Sequence, residues 1–410
     1  MLQVVDVETQ PIRAYEPFIG AEGVEELVAL GRELAGARVL HLNATAYGGG
    51  VSELLRSMIP IYRGLGIEAE WQVITGDEAF FEVTKCLHNA LQGGKFPLGD
   101  RGRATYVEQS RRNAEALEGE WDFLIVHDPQ PVAMRHFRPG DGGRWIWRCH
   151  IDTSNPNSAA VELLEPYVEE HDAIVFTLPQ FAPEAWDNSV VRTMAPGIDP
   201  LSPKNMDLPP QVHDQIALWL GVDPHRPLMT QVSRFDSWKD PMGVVDVFRV
   251  VREEVPGLQL ALLGSMALDD PEGWRLYDRI REEAVGDRDL HVATNITGVS
   301  NIEVNAFQRL SDVVIQKSIR EGFGLVVSET LWKETPVVAG RAGGIPVQMP
   351  EGIGGVLATT DEEYAEGVLR MLREPELARD LAAKGREHVR RHFLITRLVA
   401  DELRLLRDLG

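Results

Sequence analysis

Cysteine is scarce in this sequence: 410 residues contain only Cys86 and Cys149. The two have neither metal-ligand spacing nor the numbers for a disulfide framework. They are expected as free core thiols in a reducing compartment, one on a helix and one on a strand. No run approaches the roughly 20 apolar residues of a membrane span. The opening stretch, "MLQVVDVETQPIRAYEPF", is acidic and broken by prolines, unlike a signal peptide. A cytoplasmic protein is the expectation. Positive charge is in deficit as well, with 41 lysines and arginines against 63 aspartates and glutamates and a net charge of −22. Such a surface repels nucleic acid and anionic lipid, and no basic stripe interrupts it, so neither is expected as a partner. Any phosphate ligand must be held by a few local cations and backbone N–H groups. Magnesium is not indicated by the sequence, no metal site is expected, and no organic cofactor is implied.

What is present is a double series of apolar, strand-length runs alternating with amphipathic helices. The first series runs "ARVLHLNAT", "AEWQVIT", "DFLIVHD", "RWIWRCHID" and "AIVFTLP"; the second runs "LMTQVSRF", "LQLALLGS", "LHVATN", "DVVIQKS", "TPVVAG" and "GGVLAT". Alternating βα units predict an α/β chain with parallel sheets covered on both faces. At this length two domains are expected. The segment "APGIDPLSPKNMDLPPQ" holds five prolines and no periodicity, and reads as a hinge. Boundaries are therefore expected at 1–210 and 211–390. A strong amphipathic helix over 391–410 belongs to no further βα unit; it either caps the second domain or packs back across the hinge towards the first.

Ligands of such folds sit at the carboxyl ends of the strands. In "HLNATAYGGGVSELL" three glycines precede a helix, which suits close approach of a phosphate at Gly49 and Gly50; a merely tight turn remains the alternative. The spacing is not the G-x-G-x-x-G of dinucleotide folds. "WRCHIDTSNP" places Arg148, His150 and Asp152 at a strand end, and "VHDPQP" places Asp128 and Gln130 at another; Arg148, Asp152, Asp128 and Gln130 are expected on an acceptor sugar. His150 there is a hydrogen-bond partner for a sugar hydroxyl, a proton-transfer group or a packed polar residue. "QVSRFDSWKD" sets Arg234 and Lys239 five residues apart in one loop, a fork and a point charge suited to a diphosphate. Ser265 and Asn295 end the next two strands and are candidates to line a nucleotide pocket. In "KSIREGFGLVVSETLWKE", Glu321 and Glu329 flank a Gly-Phe-Gly loop ahead of a helix. The amides of Gly322, Phe323, Gly324 and Leu325 are then available to an anion, Glu329 to both hydroxyls of a ribose, and Glu321 to sugar hydroxyls.

These residues resemble a known family. "SRFDSWKD" followed by "EGFGLVVSE" and "ETPVVAGRAGGIP" is similar to the retaining glycosyltransferases of family 4, with their GT-B fold: two doubly wound Rossmann-like domains facing each other across a cleft. Both the R-x4-K pair and the E-x7-E motif stand without substitution. The stretches "LNATAYGGGVSELLRSMIPIYRGLGIEAEW" and "HIDTSNPN" further resemble trehalose glycosyltransferring synthases and the related retaining trehalose phosphorylases. The resemblance implies transfer of glucose from a nucleoside diphosphate glucose to free glucose, giving α,α-trehalose with retained configuration. It implies catalytic roles for Arg234, Lys239, Glu321 and His150, with His150 on a donor-sugar hydroxyl. It also implies that the C-terminal helix packs back towards the first domain. Phosphorolysis of trehalose and transfer by another family 4 enzyme are the alternatives within the fold. A sugar-nucleotide sensor is the alternative outside catalysis. A homodimer is the default expectation for a soluble oligomer.

Overall fold

Each of the apolar runs forms a strand. The computed structural model describes residues 1–186, 190–266 and 271–410. It divides into a first unit, Met1–Gly197 with Ile395–Gly410, and a second unit, Ile198–Leu394. The first unit holds β1 (Gln3–Val4), β2 (Arg38–Asn43), β3 (Glu68–Val73), β4 (Phe123–His127), β5 (Arg144–Cys149), β6 (Ala173–Phe176) and β7 (Val191–Thr193), in the order β1-β3-β2-β4-β5-β6-β7. All pairs are parallel except β1 with β3. The second unit holds β8 (Leu228–Arg234), β9 (Gln259–Ser265), β10 (Leu290–Thr294), β11 (Val313–Gln316), β12 (Val337–Gly340) and β13 (Gly355–Ala358), all parallel in the order β10-β9-β8-β11-β12-β13. Both are doubly wound. Strand order reverses between β2 and β4 in the first sheet and between β8 and β11 in the second. A ligand crevice belongs at such switch points.

Strand parity sorts the first sheet into two unlike faces. Leu40, Leu42, Leu124, Val126, Trp145, Trp147 and Cys149 share one apolar cluster. Each such side chain contributes about 1.5–3 kcal/mol on burial. The intervening positions His41, His127 and Arg148 face the other way. There His41 and Arg148 meet Glu402, on the C-terminal helix Ile395–Leu409, which also accepts from the hydroxyl of Tyr62, on the helix Gly50–Gly64. That C-terminal helix packs on the helices Glu16–Glu33 and Gly50–Gly64 through Ile395, Leu398, Val399, Leu403 and Leu406, all fully buried at helical spacing.

The boundary differs from the expected 210/211, because the proline-rich segment is built into the second unit. Ile198 N donates to Phe393 O at 2.8 Å. Asn305 Nδ2 donates to Pro203 O at 3.0 Å and Met206 O at 2.8 Å. Proline-rich composition marks a lack of regular structure, not a lack of partners. The return to the first unit likewise comes at Ile395 rather than 391. Among the described residues no helix is long and apolar enough to cross a membrane. Cys86 lies on the helix Glu78–Leu91 and Cys149 on β5, both as free thiols.

Candidate active site

At the second unit's switch point the loop after β8 meets the loop after β11. Asp236 organises the first loop: its Oδ1 accepts from Trp238 N at 3.0 Å and Lys239 N at 3.1 Å. Its Oδ2 stands 3.2 Å from Arg234 Nη2. Burial pushes the Asp236 carboxyl above the usual range, against the pull of Arg234 and Lys239. Lys239 Nζ reaches across to Glu321 Oε2 at 2.5 Å, and Ser318 Oγ donates to the same oxygen at 3.2 Å. Arg234 leaves 69% of its side chain in solvent, so its guanidinium is available to a ligand. Lys317 is not, being held by Asp240 and, at 2.9 Å, by Asp361.

The Gly-Phe-Gly loop is clamped from behind. Gly343 has φ +50°, and a Cβ on it would lie 1.7 Å from Glu321 O, so only glycine fits. Gly344 N donates to Gly322 O at 2.9 Å, and Gln348 Nε2 to Phe323 O at 2.5 Å. Phe323 itself is buried and packs edge-on against Phe393 at 5.3 Å. Only its backbone is offered at the loop. Gly324, at φ +82°, is the N-cap of the helix Leu325–Trp332, whose first amides form an anion-accepting end.

One turn into that helix lies Glu329, 3% exposed, with Oε2 lacking any partner. Its Oε1 is 3.6 Å from Lys204 Nζ. Beneath it, buried Lys333 donates to Glu329 O at 2.8 Å and Asn205 Oδ1 at 2.9 Å. Burial lowers the Lys333 pKa to about 7. A buried carboxylate oxygen without a donor is costly, about 1–3 kcal/mol or more. Oε2 is thus left able to accept a further hydrogen bond.

At the first unit's switch point, β2 ends in the glycine turn. Gly48 and Gly49 have φ +70° and +141°, and a Cβ at Gly48, Gly49 or Gly50 would meet nothing within 4 Å. Backbone conformation, rather than crowding by the protein, accounts for Gly48 and Gly49, and the space beside all three is open. Beyond β5, His150 N donates to Asp128 Oδ1 at 2.9 Å, and Trp147 Nε1 to Asp128 O at 2.9 Å. Asp128 sits at φ +62°, and burial raises its pKa to about 6. Gln130 follows in the same turn, half-buried. Asp152 turns its Oδ1 to Ser154 N at 3.0 Å and Ser154 Oγ at 2.6 Å.

Some expected site residues have other work. Arg148 is 2% exposed and donates to Glu402 Oε2 at 2.6 Å; it lies two positions deeper along β5 than His150 and cannot face an acceptor sugar. Asn295 spends its amide on Met266, accepting from N at 2.8 Å and donating to O at 3.0 Å; it braces the loop after β9 rather than offering a donor contact. Glu321, expected on sugar hydroxyls, has one oxygen committed to Lys239 and Ser318. Ser265 is exposed at the end of β9, beside Arg234 in register.

Two residues went unnoticed in the sequence, His41 and His127. His127 Nδ1 lies 2.9 Å from His150 Nε2, and His127 Nε2 lies 3.1 Å from His41 Nδ1. The available signal was a histidine beside the apolar runs of β2 and β4, at a position of opposite parity to their leucines and valine in the core.

Residues 41–183 match the family described as "Trehalose synthase, N-terminal domain", and residues 220–388 that described as "Glycosyl transferases group 1". The chain is 51% identical over 414 residues to a trehalose synthase from Rubrobacter xylanophilus, covering 100% of this chain and 99% of that protein. Identity to a trehalose synthase from Pyrococcus horikoshii is 43% over 398 residues, covering 97% of this chain and 96% of that one. A trehalose-6-phosphate synthase from E. coli, solved with UDP-2-fluoro glucose, matches at a TM-score of 0.71 and 14% identity, over 90% of this chain and 99% of that one. At that identity the likeness is one of fold, the GT-B fold of glycosyltransferases.

Proposed function

The chain belongs to the trehalose synthase family of glycosyltransferases, and from that premise we propose that it moves glucose from a nucleoside diphosphate glucose to free glucose, forming α,α-trehalose with retained configuration. The observation that supports a nucleotide donor most directly is Glu329, a buried carboxylate with an unpartnered oxygen. A ribose supplies the hydroxyls that this carboxylate lacks. A phosphorylase, which splits trehalose with inorganic phosphate, gives it no such partner.

In this reading the diphosphate lies against the amides of Gly322–Leu325, with Arg234 and Lys239 on its oxygens. The bond between the anomeric carbon and the phosphate oxygen breaks as the acceptor hydroxyl bonds to that carbon from the same face. The acceptor's proton passes to the departing phosphate oxygen. Negative charge grows on the diphosphate, so preorganised cations contribute most there. Lys239 is already placed for this, held by Glu321 until the ligand arrives. His150 hydrogen-bonds a hydroxyl of the transferred sugar. Asp128 fixes the backbone from which His150 projects. The reading needs no organic cofactor.

Two measurements test it. Incubation with UDP-, ADP- or GDP-glucose and free glucose should yield trehalose and the nucleoside diphosphate. Trehalose with inorganic phosphate alone should yield no glucose 1-phosphate, and its appearance would favour the phosphorylase. For the ribose assignment, Glu329→Ala should raise the donor KM roughly 10–100-fold, the cost of losing hydrogen bonds to a charged acceptor. The KM for glucose should stay as it was. An unchanged donor KM would remove Glu329 from the nucleotide site.

A further inference from the structure

His41, His127 and His150 form a continuous line through the first unit's sheet, from its switch point to the end of β5. Neighbouring rings are tilted by only 21° and 18°, with centroids 5.4 Å and 5.2 Å apart. Register builds the line: His41 pairs with Ile125, and His127 with Arg148, so each histidine stands on the same face two residues further along than the last. Burial holds all three rings below the ordinary histidine range, His41 at about 4, so they are neutral at pH 7. A neutral imidazole has one N–H and one bare nitrogen. Each nitrogen-to-nitrogen contact needs one of each. Only two proton arrangements therefore satisfy both contacts: every ring protonated on Nε2, or every ring on Nδ1.

Glu402 breaks the tie. His41 Nε2 lies 3.5 Å from Glu402 Oε1 and has no closer partner. The same carboxylate takes Arg148 Nη1 at 2.6 Å and the Tyr62 hydroxyl at 2.7 Å. With protons on Nδ1, His41 would aim a lone pair at a carboxylate oxygen in a dry interior, where such repulsion is poorly screened. With protons on Nε2 it presents an N–H to that carboxylate instead, a favourable electrostatic contact at 3.5 Å although longer than a hydrogen bond. We propose that Glu402, acting through His41 and His127, fixes His150 as the Nε2–H tautomer, so that its Nδ1 meets the substrate as a hydrogen-bond acceptor. Glu402, His41 and His127 are positioning residues that touch no substrate. The proposed function enters in one respect only: the group donating to Nδ1 is a sugar hydroxyl.

The test is the 15N signature of the histidine rings in the whole enzyme, with His150 assigned by His150→Gln. In the unaltered enzyme His150 should show an N–H at Nε2 and a bare Nδ1. Glu402→Gln offers His41 an amide donor and should invert the line, moving the His150 proton to Nδ1. It should also lower kcat/KM about tenfold, and by nothing further in a His150→Gln background, as expected when both act through one group. Should Glu402→Gln fail to fold for want of Arg148's partner, His41→Phe cuts the same line without touching that pair and should leave His150 a mixture of tautomers. A proton on Nδ1 in the unaltered enzyme, or a His150 signature unmoved in the variants that fold, overturns the proposal. Failure to make trehalose would sink the proposed function and leave these spectra as they are.

Discussion

Lys239→Ala is expected to lower kcat by about 10²–10³-fold, the usual cost of deleting one preorganised group at the developing charge. The geometry says why this lysine and not its neighbours. Lys317 is committed to Asp240 and Asp361, and Lys333 is buried under Glu329. Lys239 faces Glu321 across the strand-order reversal, 2.5 Å away and 15% exposed. It is restrained by a partner whose claim a diphosphate, with its greater charge, can outbid. Arg234→Ala should cost turnover too, but Arg234 is mostly in solvent and its removal should not alter the melting temperature. For Lys239→Ala a small fall in melting temperature is expected, because Glu321 then loses its cation in a site of low exposure. Single-turnover rates at saturating donor separate these effects. A Lys239→Ala rate within tenfold of the unaltered enzyme would mean that the leaving group's charge is met elsewhere.

The two units differ in how readable their switch points are. In the second unit the groups are grouped along the chain: Arg234, Asp236 and Lys239 in one loop, Glu321 to Glu329 in another. Spacing within a loop or a helical turn carries over directly into space, so this cluster of groups is legible as text. The first unit's buried polar line is assembled by sheet register and by a helix that returns from the far end of the chain. His41 and His127 are 86 positions apart, Tyr62 and Glu402 340. No local pattern announces such a meeting. Arg148 illustrates the limit: the strand end is recognisable in "RWIWRCHID", but depth along the strand is not, and two residues separate a buried ion pair from the half-buried His150. Long strands buried on both faces were plain as continuous apolar runs. The short β1 and β7, of two and three residues, have too few positions to show a period. Proline content hid the fact that residues 198–209 carry Lys204 and Asn205 in beneath Glu329.

Acid should unfold the first unit before the second. Burial depresses His41 and His171 to about 4 and holds His127 and His150 well below 6.5, and all four belong to Met1–Gly197. When the folded pKa lies below the unfolded one, the unfolded chain takes the proton first. The stability these groups contribute is complete above pH 6.5 and is lost as the pH falls towards the folded pKa. A fall from 6.5 to about 4 is worth about 3 kcal/mol for each of His41 and His171. That is a large share of the roughly 5–15 kcal/mol that holds a domain folded. Asp128 works in the opposite direction, since its pKa is raised to about 6 and it takes up its proton while folded, but it is one group against four. The second unit's depressed histidines, His213 and His291, are only half-buried. Its depressed lysine, Lys333, spends its stability between 10.5 and about 7, above this window. Pulsed hydrogen exchange read by mass spectrometry at pH 7, 6, 5 and 4.5 should therefore show protection lost first across β2, β4, β5 and the C-terminal helix. The strands β8 to β12 should still be protected at that point. Simultaneous loss in both units, or earlier loss in the second, would mean that the buried histidines are not what limits stability in acid.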